Sequence, residues 1–149
     1  MLNTILLTVV MVCARGDEAT EAIHAWNAVS WHGNVIFIKG CTNESLVLDS
    51  TRGVDGGFAG YAYPGLRYAW CGYNVEGPHA IANCAHELGH LMGLTHPGST
   101  PWCQGTVVDV VGQEPPSVVV GATIMDWTTG CPGTVYCPCI ADGEQLRRK

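Results

Sequence analysis

Apolar and polar positions change their period several times along these 149 residues, and each change predicts an element. Residues 4–13 form one apolar run of Ile, Leu, Val and Thr, the composition of a strand covered on both faces. The same run, taken as residues 2–12, also suits the core of a signal peptide, with Val12-Cys13-Ala14 as a small-residue cleavage site. No Lys or Arg precedes it, it is too short to span a membrane, and a cut at Ala14 would leave an odd number of cysteines. The strand is the favoured reading.

From Asp17 the period becomes helical. Ala19, Ala22, Ile23, Trp26 and Val29 recur on one stripe, so a helix is expected over 17–30. Asp17 suits its cap, and Glu18 and Glu21 suit its first turn. His24 falls on this helix as a surface or partly buried residue rather than a ligand. Gly33-Asn34 then introduces a strand over 35–39, and 46–48 is a short strand. Residues 53–60 read as a loop, and aromatic strands are expected over 61–63 and 67–73.

A second amphipathic helix opens near Pro78, a residue suited to a first turn. Ile81, Cys84, Ala85, Leu88, Leu91 and Met92 give it a buried face. Farther on, 107–111 and 118–120 flank a Gly-Pro-rich turn, either as a hairpin or as an irregular loop carrying a strand. Residues 141–149 open a final helix with a basic end. There is no repeat, linker or low-complexity tract, so 1–149 reads as one domain, with subdomains 1–93 and 94–149. The expected class is α+β: a small twisted mixed sheet with a backing helix and a site-bearing helix, followed by an irregular C-terminal part.

Composition narrows the partners. The net charge is −6 with no basic run, which disfavours nucleic acid and anionic membrane. A monomer acting on protein or peptide is expected. Eight cysteines in so small a domain favour disulfides and an oxidising, extracellular compartment. Their connectivity is unreadable, since eight cysteines allow 105 pairings. Cys131, Cys137 and Cys139 could instead hold a second metal, but no spacing completes a four-ligand set. Asn43-Glu44-Ser45 is a glycosylation sequon, meaningful in a eukaryotic secretory pathway. Asp49 and Asp55 lie near the 53–60 loop, where calcium is one reading and a solvated turn the preferred one.

The candidate chemistry sits on the second helix. Residues 86–96 spell His-Glu-x-x-His-x-x-Gly-x-x-His. His86 and His90 are four apart, so a helix points both imidazoles one way. Glu87 reaches the rim of that face, where it can bond a water without being a ligand. Gly93 lets the chain turn sharply, and His96 returns as a third ligand. Three protein ligands leave a fourth position for water, the arrangement of a catalytic zinc. A bare pair of helical histidines arises by chance; Gly93 and His96 make chance a poor account.

With these residues the chain resembles the metzincin metallopeptidases. Residues 122–127, Ala-Thr-Ile-Met-Asp-Trp, resemble that family's Met-turn, which implies that Met125 packs beneath the zinc site. Residues 17–30 resemble its first long helix, and 58–65 resemble the matrixin strand that borders the cleft. A strand there, near 59–61, would pair with an extended peptide. Pro97-Gly98 after the third histidine resembles the serralysins. Their Met-turn tyrosine, two residues after the methionine, is replaced by Trp127, which offers an N–H and no metal-binding oxygen. The serralysin calcium-repeat domain and the matrixin cysteine switch are both missing from this sequence. The resemblance implies a minimal zinc-dependent endopeptidase domain, with Glu87 as general base and acid. The alternative is a zinc-containing peptide-binding module of the same fold without turnover.

Overall fold

A computed structural model of the chain describes residues 6–52, 60–72, 78–94, 138 and 140–146. Strand β1 (Thr8–Arg15) is followed by helix α1 (Asp17–Asn27), a 3-10 turn (Ser30–Gly33), and strands β2 (Val35–Lys39) and β3 (Leu46–Asp49). Then come β4 (Gly60–Tyr63), a second 3-10 turn (Pro64–Leu66), β5 (Tyr68–Cys71), α2 (Pro78–Leu91) and α3 (Ile140–Leu146).

The five strands form one sheet in the order β2-β1-β3-β5-β4. β1 pairs in parallel with β2 and β3, and β3 with β5, while β4 runs antiparallel to β5. The sheet is mixed, as expected. Its parallel majority and the β1-α1-β2 crossover make the domain mixed α/β rather than α+β, because parallel neighbours need a connection long enough to hold a helix.

The strand reading of the N-terminal segment holds, shifted to Thr8–Arg15, with Leu6 and Leu7 outside the strand. β1 lies inside the sheet between β2 and β3, so a cut after Ala14 would remove the strand on which two others are laid. Among the described residues its expected double coverage is not met. Val12 is fully buried, with Val10 and Ala14 packed against the same core, whereas Val9 is 56% exposed on the opposite face. Both α1 and α2 contact the sheet and each other, so they form a single layer on the Val12 face. Trp26 fixes that layer: it is buried, lies 6.1 Å from the Phe37 ring, and donates its indole N–H to the Ala85 carbonyl at 2.8 Å. One side chain thus joins the backing helix to the site-bearing helix.

Several boundaries move for local reasons. Asp17 is the first helical residue, not the cap; Gly16 caps, with no side-chain cap bond. Ser50 Oγ takes a neighbouring role, accepting the Ala19 N–H. α1 ends at Asn27 rather than residue 30, because the Asn27 side chain turns to β2, accepting from Phe37 N and donating to Phe37 O. β5 begins at Tyr68 because Arg67 adopts a left-handed φ of 53° at the close of the 3-10 turn. His24 is a surface residue, as expected. The 107–111 and 118–120 segments, and the basic end of the last helix, lie outside the described residues.

Two disulfides are described. Cys13 of β1 joins Cys41 just beyond β2, and Cys71 of β5 joins Cys84 of α2. Their loops of 28 and 13 residues imply about 3 kcal/mol of stabilisation each, through restriction of the unfolded chain. Disulfides in this number point to an oxidising environment. Among the described residues no helix is long and apolar enough to cross a membrane. Cys103, Cys131, Cys137 and Cys139 lie outside the described residues.

Candidate metal centre on the second helix

α2 packs Ala80, Cys84, Ala85 and Leu88 into the core, which leaves His86 and His90 on its other face. His86 and His90 stand one turn apart on that face. Their Nε2 atoms are 3.1 Å apart, and the rings meet edge-on at 86° with centroids at 4.7 Å. Two nitrogens each about 2.0 Å from a tetrahedral zinc ion are themselves roughly 3.3 Å apart. The pair therefore fits two ligand positions of one ion.

The helix end orients His90. Gly93 has φ of 91°, a left-handed conformation that glycine adopts without a Cβ penalty. Its N–H donates to His90 O at 2.9 Å, and Leu94 N–H donates to Gly89 O at 3.0 Å. Those two bonds make a Schellman close, completed by the burial of Leu94 in the core. The same turn brings Leu94 O to 2.8 Å from His90 Nδ1. A carbonyl only accepts, so Nδ1 carries the proton and Nε2 presents its lone pair. A backbone partner of this kind commonly fixes the tautomer of a metal-binding histidine. Burial holds the His90 pKa below its ordinary value, against the opposing pull of the Leu94 carbonyl. The ring is thereby kept neutral, the form that binds metal.

Glu87 is buried, not at an open rim. Its side chain lies under β4: a Cβ placed on Gly60 would stand 3.0 Å from Glu87 Cγ, 3.1 Å from Asn83 Oδ1 and 2.7 Å from Trp70 O. Burial pushes its pKa from the ordinary 4.5 up to about 8. In the metal-free chain the carboxyl is thus neutral at pH 7. Below pH 4.5 it is protonated folded or unfolded and costs nothing. Between 4.5 and 8 the unfolded chain ionises while the folded one does not, so stability falls as pH rises, and the full penalty is present above 8. Each pKa unit carries about 1.4 kcal/mol, so the penalty is a few kcal/mol. Glu87→Gln should therefore match the parent near pH 5 in chelator and exceed it by a few kcal/mol near pH 9. Urea midpoints at the two pH values test this; equal midpoints at both would remove the buried-carboxylate account.

Of the sequence-derived site residues, the structure brings together His86, Glu87, His90 and the Gly93 turn. His96, Met125, Pro97 and Trp127 lie outside the described residues. Among the described residues no group of three potential metal ligands is gathered. Asp49, weighed for calcium, spends both carboxylate oxygens within the protein. Thr51 N–H and Oγ1 donate to Oδ1 at 2.9 and 2.6 Å, and Tyr68 donates its hydroxyl to Oδ2 at 3.2 Å. Its burial alone raises its pKa, but these bonds, with Arg15, bring it below the ordinary value. It is 6% exposed, so the preferred reading of a solvated turn does not describe it. Asp55 lies outside the described residues.

Asn83 was missed in the sequence, and Gly60 was read only as part of the strand bordering the cleft. Asn83 precedes Glu87 by four positions, so helical spacing alone could have found it. The contact of Gly60 with Glu87 carried no local signal, because it comes from a helix distant in sequence.

No known protein-family model matches the chain, and no curated protein matches it. Among solved structures, that of myroilysin is similar with a TM-score of 0.56 at 14% identity, covering 95% of this chain and 91% of that one. The two share a fold.

Proposed function

We propose that the protein is a secreted, single-domain zinc endopeptidase of the metzincin type, with His86, His90 and His96 as the metal ligands and Glu87 as the proton-transferring carboxylate. One observation carries this reading: the two imidazole nitrogens at 3.1 Å, with Glu87 on the adjacent helical position, in the motif that continues to Gly93 and His96. The likeness to myroilysin supports a peptidase-like fold.

Zinc, when bound, supplies Lewis acidity toward the substrate carbonyl and lowers the pKa of an adjacent water to about 7. A cation held by His86 and His90 would also oppose the burial that keeps the Glu87 carboxyl neutral, favouring its ionised form. Glu87 accepts the proton of the attacking water and returns it to the leaving amine. His90 keeps its lone pair directed through the Leu94 carbonyl. β4 ends the described sheet, and it borders Glu87 through Gly60. An extended peptide adding to that edge would lie antiparallel or parallel to β4 within reach of the base. Met125 is assigned the floor beneath the ligands. The acidic net charge of −6 disfavours nucleic acid as partner.

The test is cleavage of casein and of a proteome-derived peptide library by the pure, zinc-loaded chain. Hydrolysis lost on chelation and regained with zinc is expected. A folded, zinc-loaded chain that cuts nothing would instead favour the silent peptide-binding module.

A further inference from the structure

Four contacts close a ring around Glu87. Gly60 pairs with Cys71 across the β4–β5 ladder. Cys71 is bonded to Cys84. Cys84 precedes Glu87 by three residues on α2, close to one helical turn. Glu87 Cγ then returns against the Gly60 backbone. Cys71 and Cys84 are fully buried and Glu87 nearly so, while Gly60 is partly buried, so three of the four members are enclosed by the core. The disulfide holds the separation between helix and strand, and only a residue without a side chain fits at its far side.

We propose, resting on the peptidase reading, that Gly60 is a positioning residue for the Glu87 carboxylate, with the Cys71–Cys84 disulfide as the strut that fixes the gap between them. Any Cβ at position 60 must displace something. The nearest atom is the Trp70 carbonyl at 2.7 Å, which is ladder backbone and yields little. The Glu87 stem at 3.0 Å and the Asn83 amide at 3.1 Å are the parts able to move. His90 is steadied elsewhere, by Leu94 at the helix end. A substitution at 60 therefore moves the base relative to the bound water while leaving the histidine ligands in place. Misplacement by about 1 Å is enough to cost on the order of 100-fold in rate.

The experiment compares the parent, Gly60→Ala and Gly65→Ala, all zinc-loaded and with disulfides intact. Gly65 lies in the exposed turn after β4, and a Cβ there meets nothing within 4 Å. Gly60→Ala is expected to lower kcat by roughly 10- to 100-fold. Zinc stoichiometry should stay that of the parent and KM within about twofold, while Gly65→Ala behaves as the parent. Adding Asn83→Ala to Gly60→Ala clears one of the tight contacts and should restore part of kcat; it also serves where Gly60→Ala alone does not fold. Unchanged kcat in Gly60→Ala overturns the proposal, as does a loss of kcat that only follows a loss of zinc. The two readings fail separately. A zinc-loaded parent that cuts nothing overturns the peptidase reading, whereas an active parent equalled by Gly60→Ala overturns the positioning role alone.

Discussion

Replacing Glu87 with alanine is expected to lower kcat/KM by roughly 10²- to 10⁴-fold, the usual share of a positioned acid–base group, with zinc still bound. Glu87 is not among the assigned ligands, so metal content should be that of the parent. Its burial against Gly60 means that alanine also leaves a small cavity, and partial destabilisation should accompany the loss. Glu87→Gln separates the two effects, because it fills the space but accepts no proton. Both variants should be equally slow, and only alanine should be less stable than the metal-free parent at acid pH. Zinc analysis beside peptide kinetics is the measurement. Full activity in either variant would sink the role given to Glu87.

Replacing His90 with alanine should abolish activity by removing the metal itself. The ring is held in its ligating tautomer by Leu94 O. Loss of an outer-shell partner alone typically weakens metal binding by about 10- to 100-fold, so loss of the ring should weaken it by more. Competition against a chromophoric chelator would report the affinity, and peptide cleavage at a fixed zinc concentration would follow it. Excess zinc should not rescue the rate, since two remaining ligands leave the ion loosely held. Parent-like zinc affinity in His90→Ala would remove this residue from the metal centre. His86→Ala is expected to behave the same way, because the two Nε2 atoms converge on one point.

Much of the helical part was legible from local pattern. The period through Trp26 marks α1, and the four-residue spacing from His86 to His90 marks the polar face of α2. Gly93 was legible as a stop, since a left-handed residue closes a helix by backbone bonds alone. The strand character of β1 was also legible, although Val9 on its second face is exposed, because a run of Val and Ile does not report how many layers cover it. Asp49 shows the opposite failure. Its sequence neighbourhood reads as solvated loop, yet Tyr68, a residue on the adjacent strand, draws it into the structure.

The chain by itself determined the identity of the metal-seeking groups, their helical spacing and the turn that follows, because each depends on contacts within about four residues. Tertiary structure decided the rest. The partners of Cys13 and Cys84 lie 28 and 13 residues away, just beyond β2 and on β5, so the pairings of these four cysteines are set only on folding. The state of Glu87 was decided by the sheet that covers it. Read along the sequence it is a carboxylate at the rim of a helix; folded, it lies beneath Gly60 with its pKa raised to about 8. Burial and charge are set by what stands across the gap, and the local sequence of α2 does not contain that strand.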